Sequence, residues 1–266
     1  MAPEAARAMA DRQPVFFFEL RDDHRPSTTG PVTYTAIHPF SIGAPATKIS
    51  ARSLTDGNLR RADMAATPDN FSIAEHDWQS QAYVDEWISR DIQREGERRP
   101  RLRHMLSLAP ISKDASITVL DVGGGYGVVS EEILQAFPSA RVTLQDYSKP
   151  MLDRARARLS NYQDRMRYVA SDLTNPVWVD GVGGPFDLVV SAIAIHNLAS
   201  LERISAVYRG IARLLKPGSL FLDYDLYNVA GGIPLHIKMM QEAGFARADC
   251  VWEQERVAII AAYASM

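Results

Sequence analysis

The chain has 266 residues, 46% of them hydrophobic, with a formal net charge of −3 and no long single-sign block. That length allows one sizeable core with a small appended subdomain, and the charge balance argues against the basic face that nucleic-acid binding needs. A single cysteine, Cys250, excludes an intramolecular disulfide, and no run nears the ~18 apolar residues of a membrane span.

With no long apolar leader at the start, a cytoplasmic protein without membrane or nucleic-acid partners is expected. Residues 1–70 read as an extension. Val15-Phe16-Phe17-Phe18 is a short apolar block and Val32–Ile37 has strand propensity, but Pro39, Gly43, Pro45, Gly57 and Pro68 make long regular elements unlikely over residues 38–70. A loosely ordered tail and a wrap that contacts a second copy in a homodimer both fit. Residues 71–114 read as a helical cap: Trp78, Ala82, Tyr83, Trp87 and Ile88 recur at helical intervals, on a stripe that either packs on the main domain or closes over a pocket. Arg94–His104 mixes charges of both signs and is expected to be a solvated turn leading to a second helix that ends near Leu108.

Residues 115–266 alternate strand and helix patterns. Strands are predicted at Ile117–Val122, Arg141–Gln145, Met166–Ala170, Phe186–Ser191 and Ser219–Asp223. Helices are predicted at Val128–Phe137, from Ser148 to about Tyr162, at Leu201–Leu215 and at Pro234–Ala243. Two final apolar runs, Ala248–Trp252 and Val257–Ala262, are too close for a parallel return and predict an antiparallel hairpin. The expected fold is α/β: a doubly wound, mostly parallel seven-stranded sheet with a C-terminal antiparallel hairpin and an N-terminal helical cap.

The centre of this pattern is Asp121-Val122-Gly123-Gly124-Gly125-Tyr126-Gly127, a strand end, a tight turn and a helix start. Glycines there permit positive φ and leave room for a ligand against the main chain. Acidic residues stand at three predicted strand ends, Asp121, Asp146 and Asp172, where open parallel sheets bind ligands. Asp146 is suited to accept hydrogen bonds from both hydroxyls of a ribose. The spacing Gly123-x-Gly125-x-Gly127 fails the dinucleotide fingerprint, since Val128 stands where its third glycine belongs. Asp121 also disfavours a pyrophosphate at this helix start and suits a cationic amino-acid moiety.

Together with Gln145-Asp146-Tyr147-Ser148-Lys149-Pro150-Met151-Leu152, Ser171-Asp172-Leu173, Phe186–Val190 and Leu214–Ser219, this motif resembles the class I S-adenosylmethionine-dependent methyltransferases of small-molecule type, over about residues 115–262. The resemblance implies S-adenosylmethionine as cofactor. Gly123, Gly125 and Gly127 would run beside its methionine part, with Asp121 near the amino end. Asp146 would hold the ribose, Tyr147 and Met151 would flank the adenine, Asp172 and Leu173 would meet its edge, and Ser191 would lie near the sulfonium. The loop 192–198 would face the substrate.

Methyl transfer from a sulfonium is a direct displacement that needs alignment and exclusion of water. A hydroxyl or amine acceptor also needs a base, and His196 is the nearest candidate, since histidine is the side-chain type suited to proton transfer near neutral pH; a packing role for it is the alternative. Trp78, Tyr83, Asn197, Tyr224 and Tyr227 are the expected substrate contacts, and the aromatic rings of Trp78, Tyr83, Trp87 and Tyr227 suit an aromatic or isoprenoid acceptor of secondary metabolism, such as antibiotic biosynthesis. No metal is expected. A non-methylating cyclisation or rearrangement and a non-catalytic binding subunit are the competing functions.

Overall fold

The computed structural model describes residues 76–266. The expected strand at Val32–Ile37 and the oligomer contact of residues 1–70 lie outside them. Two helices come first, α1 (Gln81–Asp91) and α2 (Glu95–Ser107). Ser80 caps α1, its side chain accepting from the Tyr83 N–H, and α2 carries Pro100 within it. The mixed-charge run is therefore helix, not a solvated turn. Its charges are satisfied by partners from across the domain.

Seven strands follow: β1 (Thr118–Val122), β2 (Arg141–Asp146), β3 (Met166–Ala170), β4 (Phe186–Ala192), β5 (Leu215–Asp225), β6 (Arg247–Gln254) and β7 (Val257–Tyr263). They lie in the order β3-β2-β1-β4-β5-β7-β6. The first five are parallel, and β7 runs antiparallel to both β5 and β6. The helices between them are α3 (Val128–Ala136), α4 (Lys149–Arg158), α5 (Trp178–Val182), α6 (Leu201–Leu214) and α7 (Ile233–Glu242). The expected sheet is thus observed. Helix α4 stops at Arg158, short of Tyr162, and residues 160–165 form a 3-10 segment. The five-residue α5 was not expected.

Period-2 alternation divides the apolar residues between two faces. Val119, Val142, Leu144, Leu188, Val190 and Leu222 pack with Leu102, Met105, Ile133 and Leu152, so both cap helices share this core with the sheet. Leu120, Val122, Val189, Phe221 and Ile260 pack with Trp178, Ile204, Val207 and Met240 on the other face. Among the described residues no helix is long and apolar enough to cross a membrane.

The order reverses direction between β1 and β4, placing the glycine turn after β1 at the crevice where such sheets bind ligands.

Candidate active site

The turn after β1 is built for close approach. Gly123 has φ +63°, and a Cβ there would stand 2.5 Å from the Ala194 Cβ. Gly125 has φ +54°, yet a Cβ on it would meet nothing within 4 Å: that space opens into a cavity. The turn is fixed to β2 by its neighbour's side chains. Gln145 Oε1 accepts from the Gly123 N–H at 3.0 Å, and Gln145 Nε2 donates to the Ser171 carbonyl at 2.6 Å. Asp146 Oδ2 accepts from the Gly125 N–H at 2.8 Å, and its Oδ1 from the Ser148 N–H at 2.8 Å. The glycine turn and the carboxylate that ends β2 are therefore one site. Each Asp146 oxygen keeps a lone pair for a further donor.

Burial pushes the Asp146 carboxyl above its ordinary pKa, against the backbone donors that pull it down. Asp121 is fully buried under the turn, where Ser130 Oγ donates to its Oδ2 at 2.6 Å and Oδ1 has no partner among the described residues. Its carboxyl is pushed up to about 7, chiefly by burial, with the Asp146 charge adding to it.

The cavity has a volume of about 650 Å³, within the roughly 300–1,000 Å³ usual for small-molecule sites. Gly123, Gly125, Asp146, Tyr147, Met151, Asp172 and Leu173 line one part of it. Trp78, Trp87 and Asp91 from the cap, His76, and the loop Ala192–Leu198 line the rest. Gly127, Asp121 and Ser191 stand behind the wall; Gly127 starts α3 in a left-handed conformation, and the Ser191 hydroxyl is buried without a partner among the described residues.

His196 lies in the wall, and Asp225 grips it twice. The two side chains meet at 2.6 Å, Nδ1 to Oδ1, and the His196 backbone N–H donates to Oδ2 at 3.0 Å. Asp225 follows two residues after Asp223 on β5, the strand next to β4, so the pair is a direct product of the sheet order. Asn197 also lines the cavity.

The other expected substrate contacts divide. Trp78 is in the wall, stacked on His76 at 4.7 Å between ring centroids and edge-on to Trp87 at 5.4 Å. Tyr83 sits behind, its hydroxyl bonded to His76 Nδ1. Tyr224 and Tyr227 do not reach the cavity. Each is 2% exposed: Tyr224 alternates inward on β5, and the Tyr227 hydroxyl donates to the Asp223 carbonyl at 2.9 Å. Position near a strand end suggested the pocket, but the β5 pleat turns Tyr224 into the core and the 3-10 turn after β5 buries Tyr227.

Sequence reasoning missed His76 and Gln145 as site residues. It placed Asp225 among the side chains after the fifth strand that could wall the pocket, but not as the partner of His196. A single histidine ahead of an aromatic helix carries no signal.

Residues 119–218 match the family model described as a methyltransferase domain. Over 88 residues it is 39% identical to the release factor glutamine methyltransferase of Chlorobaculum tepidum, covering 32% of this chain and 30% of that protein. The chain thus spans about a third or less of the length of the first curated relatives it matches. Among solved structures, an O-methyltransferase family protein from Burkholderia thailandensis aligns at TM-score 0.56 and 18% identity, over 71% of this chain and 61% of that one. The N-methyltransferase NodS from Bradyrhizobium japonicum WM9, solved with S-adenosyl-L-homocysteine, aligns at TM-score 0.51 and 18% identity, over 62% and 85%. At that identity the two structures share the methyltransferase domain's fold.

Proposed function

We propose that the methyltransferase domain transfers a methyl group from S-adenosylmethionine to a small, aromatic acceptor of secondary metabolism. The contact between the Gly125 N–H and the Asp146 carboxylate carries this reading, because it joins a main-chain cradle and a ribose acceptor at one cavity. The open space at Gly125 leaves room for the cofactor's methionine end, and Asp121 lies buried just beneath that turn, where its carboxyl would favour a cationic group. NodS, crystallised with the demethylated form of that cofactor, has the same fold.

When bound, S-adenosylmethionine supplies a methyl group on a cationic sulfur, open to direct displacement. Asp146 would accept from the two ribose hydroxyls with the lone pairs its backbone donors leave free. Tyr147 and Met151 would flank the adenine, with Asp172 and Leu173 at its edge. His196, with Nδ1 turned to Asp225, keeps Nε2 as its basic nitrogen, and that atom would take the proton of an acceptor hydroxyl. His76, Trp78 and Trp87 form an aromatic part of the cavity wall, which would shield the reacting atoms from water once an acceptor is bound.

The relative from Chlorobaculum tepidum is, by its name, a methyltransferase acting on a release factor glutamine. A cavity roofed by aromatic cap residues favours a small acceptor over a folded one here. Mass spectrometry of small phenolic acceptors incubated with methyl-labelled cofactor tests the reaction class, and calorimetry tests the site. Asp146→Ala should weaken cofactor binding by about 1–3 kcal/mol through lost charge-assisted bonds. Equal affinity of variant and wild type would remove the ribose assignment.

A further inference from the structure

Behind the His196–Asp225 pair lies a second carboxyl group that the proposed reaction does not use. Asp223 is wholly buried on β5, on the same face as Asp225. The titratable groups around it are Asp225 of its own strand, Tyr208 of α6, Tyr227 of the turn after β5, and His236 of α7. No lysine or arginine among the described residues pairs with it.

Donor accounting assigns the protons. The Ala230 carbonyl only accepts, so His236 Nε2, 2.8 Å away, must carry a hydrogen. Burial lowers the pKa of His236 against the Ala230 carbonyl and the Asp225 charge, which favours a neutral ring with Nδ1 as acceptor. The Tyr208 hydroxyl, 2.7 Å from that nitrogen, then donates to it. The Tyr208 oxygen also lies 3.4 Å from Asp223 Oδ2, longer than a normal O–H···O bond, and Asp223 Oδ1 has no partner among the described residues. A buried carboxyl group with neither a counter-cation nor a close donor is held in its neutral form.

We propose that Asp223 is a neutral carboxylic acid, buried beside Tyr208 and His236 behind the dyad. Its proton keeps a second buried negative charge away from Asp225, so Asp223 acts as a positioning residue for the pair. The assignment to His196 rests on the function proposed above; the protonation of Asp223 does not.

Two measurements on the full chain, neither needing cofactor or turnover, test it. The infrared difference spectrum of wild type minus Asp223→Asn at pH 7 should contain the carbonyl band of a protonated carboxylic acid, shifted in Tyr208→Phe. A carboxylate band in its place overturns the proposal. The unfolding equilibrium constant of wild type relative to Asp223→Asn should rise about tenfold per pH unit above pH 4, since only the wild-type native state retains the extra proton. Parallel stability curves from pH 5 to 7 overturn it equally. If Asp223→Asn fails to fold, the wild-type band and its persistence to pH 8 decide.

Discussion

Asp121 carries a cost that depends on pH. Its folded pKa of about 7 lies above the ordinary carboxylate value, so the fold retains a proton there that the unfolded chain releases. The associated stability is complete below pH 4 and is lost as pH rises through 7. Removing the charge with Asp121→Asn keeps an acceptor for Ser130. The variant should match wild type near pH 4 and exceed it at pH 8 by on the order of 4 kcal/mol without cofactor. Denaturant titration at both pH values measures this. A cationic ligand beside the turn would shrink the difference by favouring the ionised form. At His196, loss of the imidazole should lower single-turnover rates by ~10²-fold. Asp225→Asn should lower them too, by releasing the ring's tautomer. The double variant should lose no more than the worse single one, because the two act as a unit. Fully additive losses would assign them separate roles.

The cap helices are tied to the glycine turn through Tyr126. Its hydroxyl lies 2.7 Å from Asp91 Oδ2 at the end of α1 and 2.8 Å from Glu95 Oε1 at the start of α2, and it accepts from Arg98 at 3.1 Å. Further along α2, Arg99 bridges Glu131 and Glu132 of α3 at 2.5 and 2.6 Å, while Arg158 of α4 reaches Glu95 at 2.5 Å. The Glu132 side chain is only 2% exposed, so these pairs are shielded from water and from salt. Tyr126→Phe should cost about 1.5–3 kcal/mol, the range for hydrogen bonds to charged groups, read as a lower denaturation midpoint at unchanged slope. The same contacts explain why the Arg94–His104 run reads as solvated from sequence. Its mixed signs at i, i+4 spacing look self-sufficient, and nothing local shows that acids about 30 residues away complete them. The strands were easier, because each is a short, largely apolar run. Helix α5 was not legible: five residues give no periodicity, and its order comes from Trp178 fitting against Gly210, where a Cβ would stand 2.9 Å from the indole.

Across the whole molecule, the sheet, the glycine-turn and Asp146 side of the cavity and the C-terminal hairpin could be read in advance, since each is written in contiguous motifs. The opposite side was legible only in part: Trp78, His196 and Asn197 were expected to face the cavity, whereas His76 and the pairing of His196 with Asp225 were not. His76, Trp87, His196 and Asp225 come from segments separated by up to 149 positions, and only the tertiary fold unites them. The cap is equally part of the core: Leu102, Met105 and Leu106 are at most 2% exposed against the sheet's first face. A chain starting at residue 115 should therefore expose that face and aggregate, as size-exclusion chromatography of the truncated protein would register. Tyr126 gives this architecture a further property. It sits one residue from Gly125, so the bend that would receive a nucleoside also carries the ion lattice of α1 and α2. Whatever tightens one side of that bend is felt by the other in equal measure: filling the crevice should slow amide exchange along α1 and α2 beyond the few residues that line it, and loosening those helices should weaken the ligand's hold.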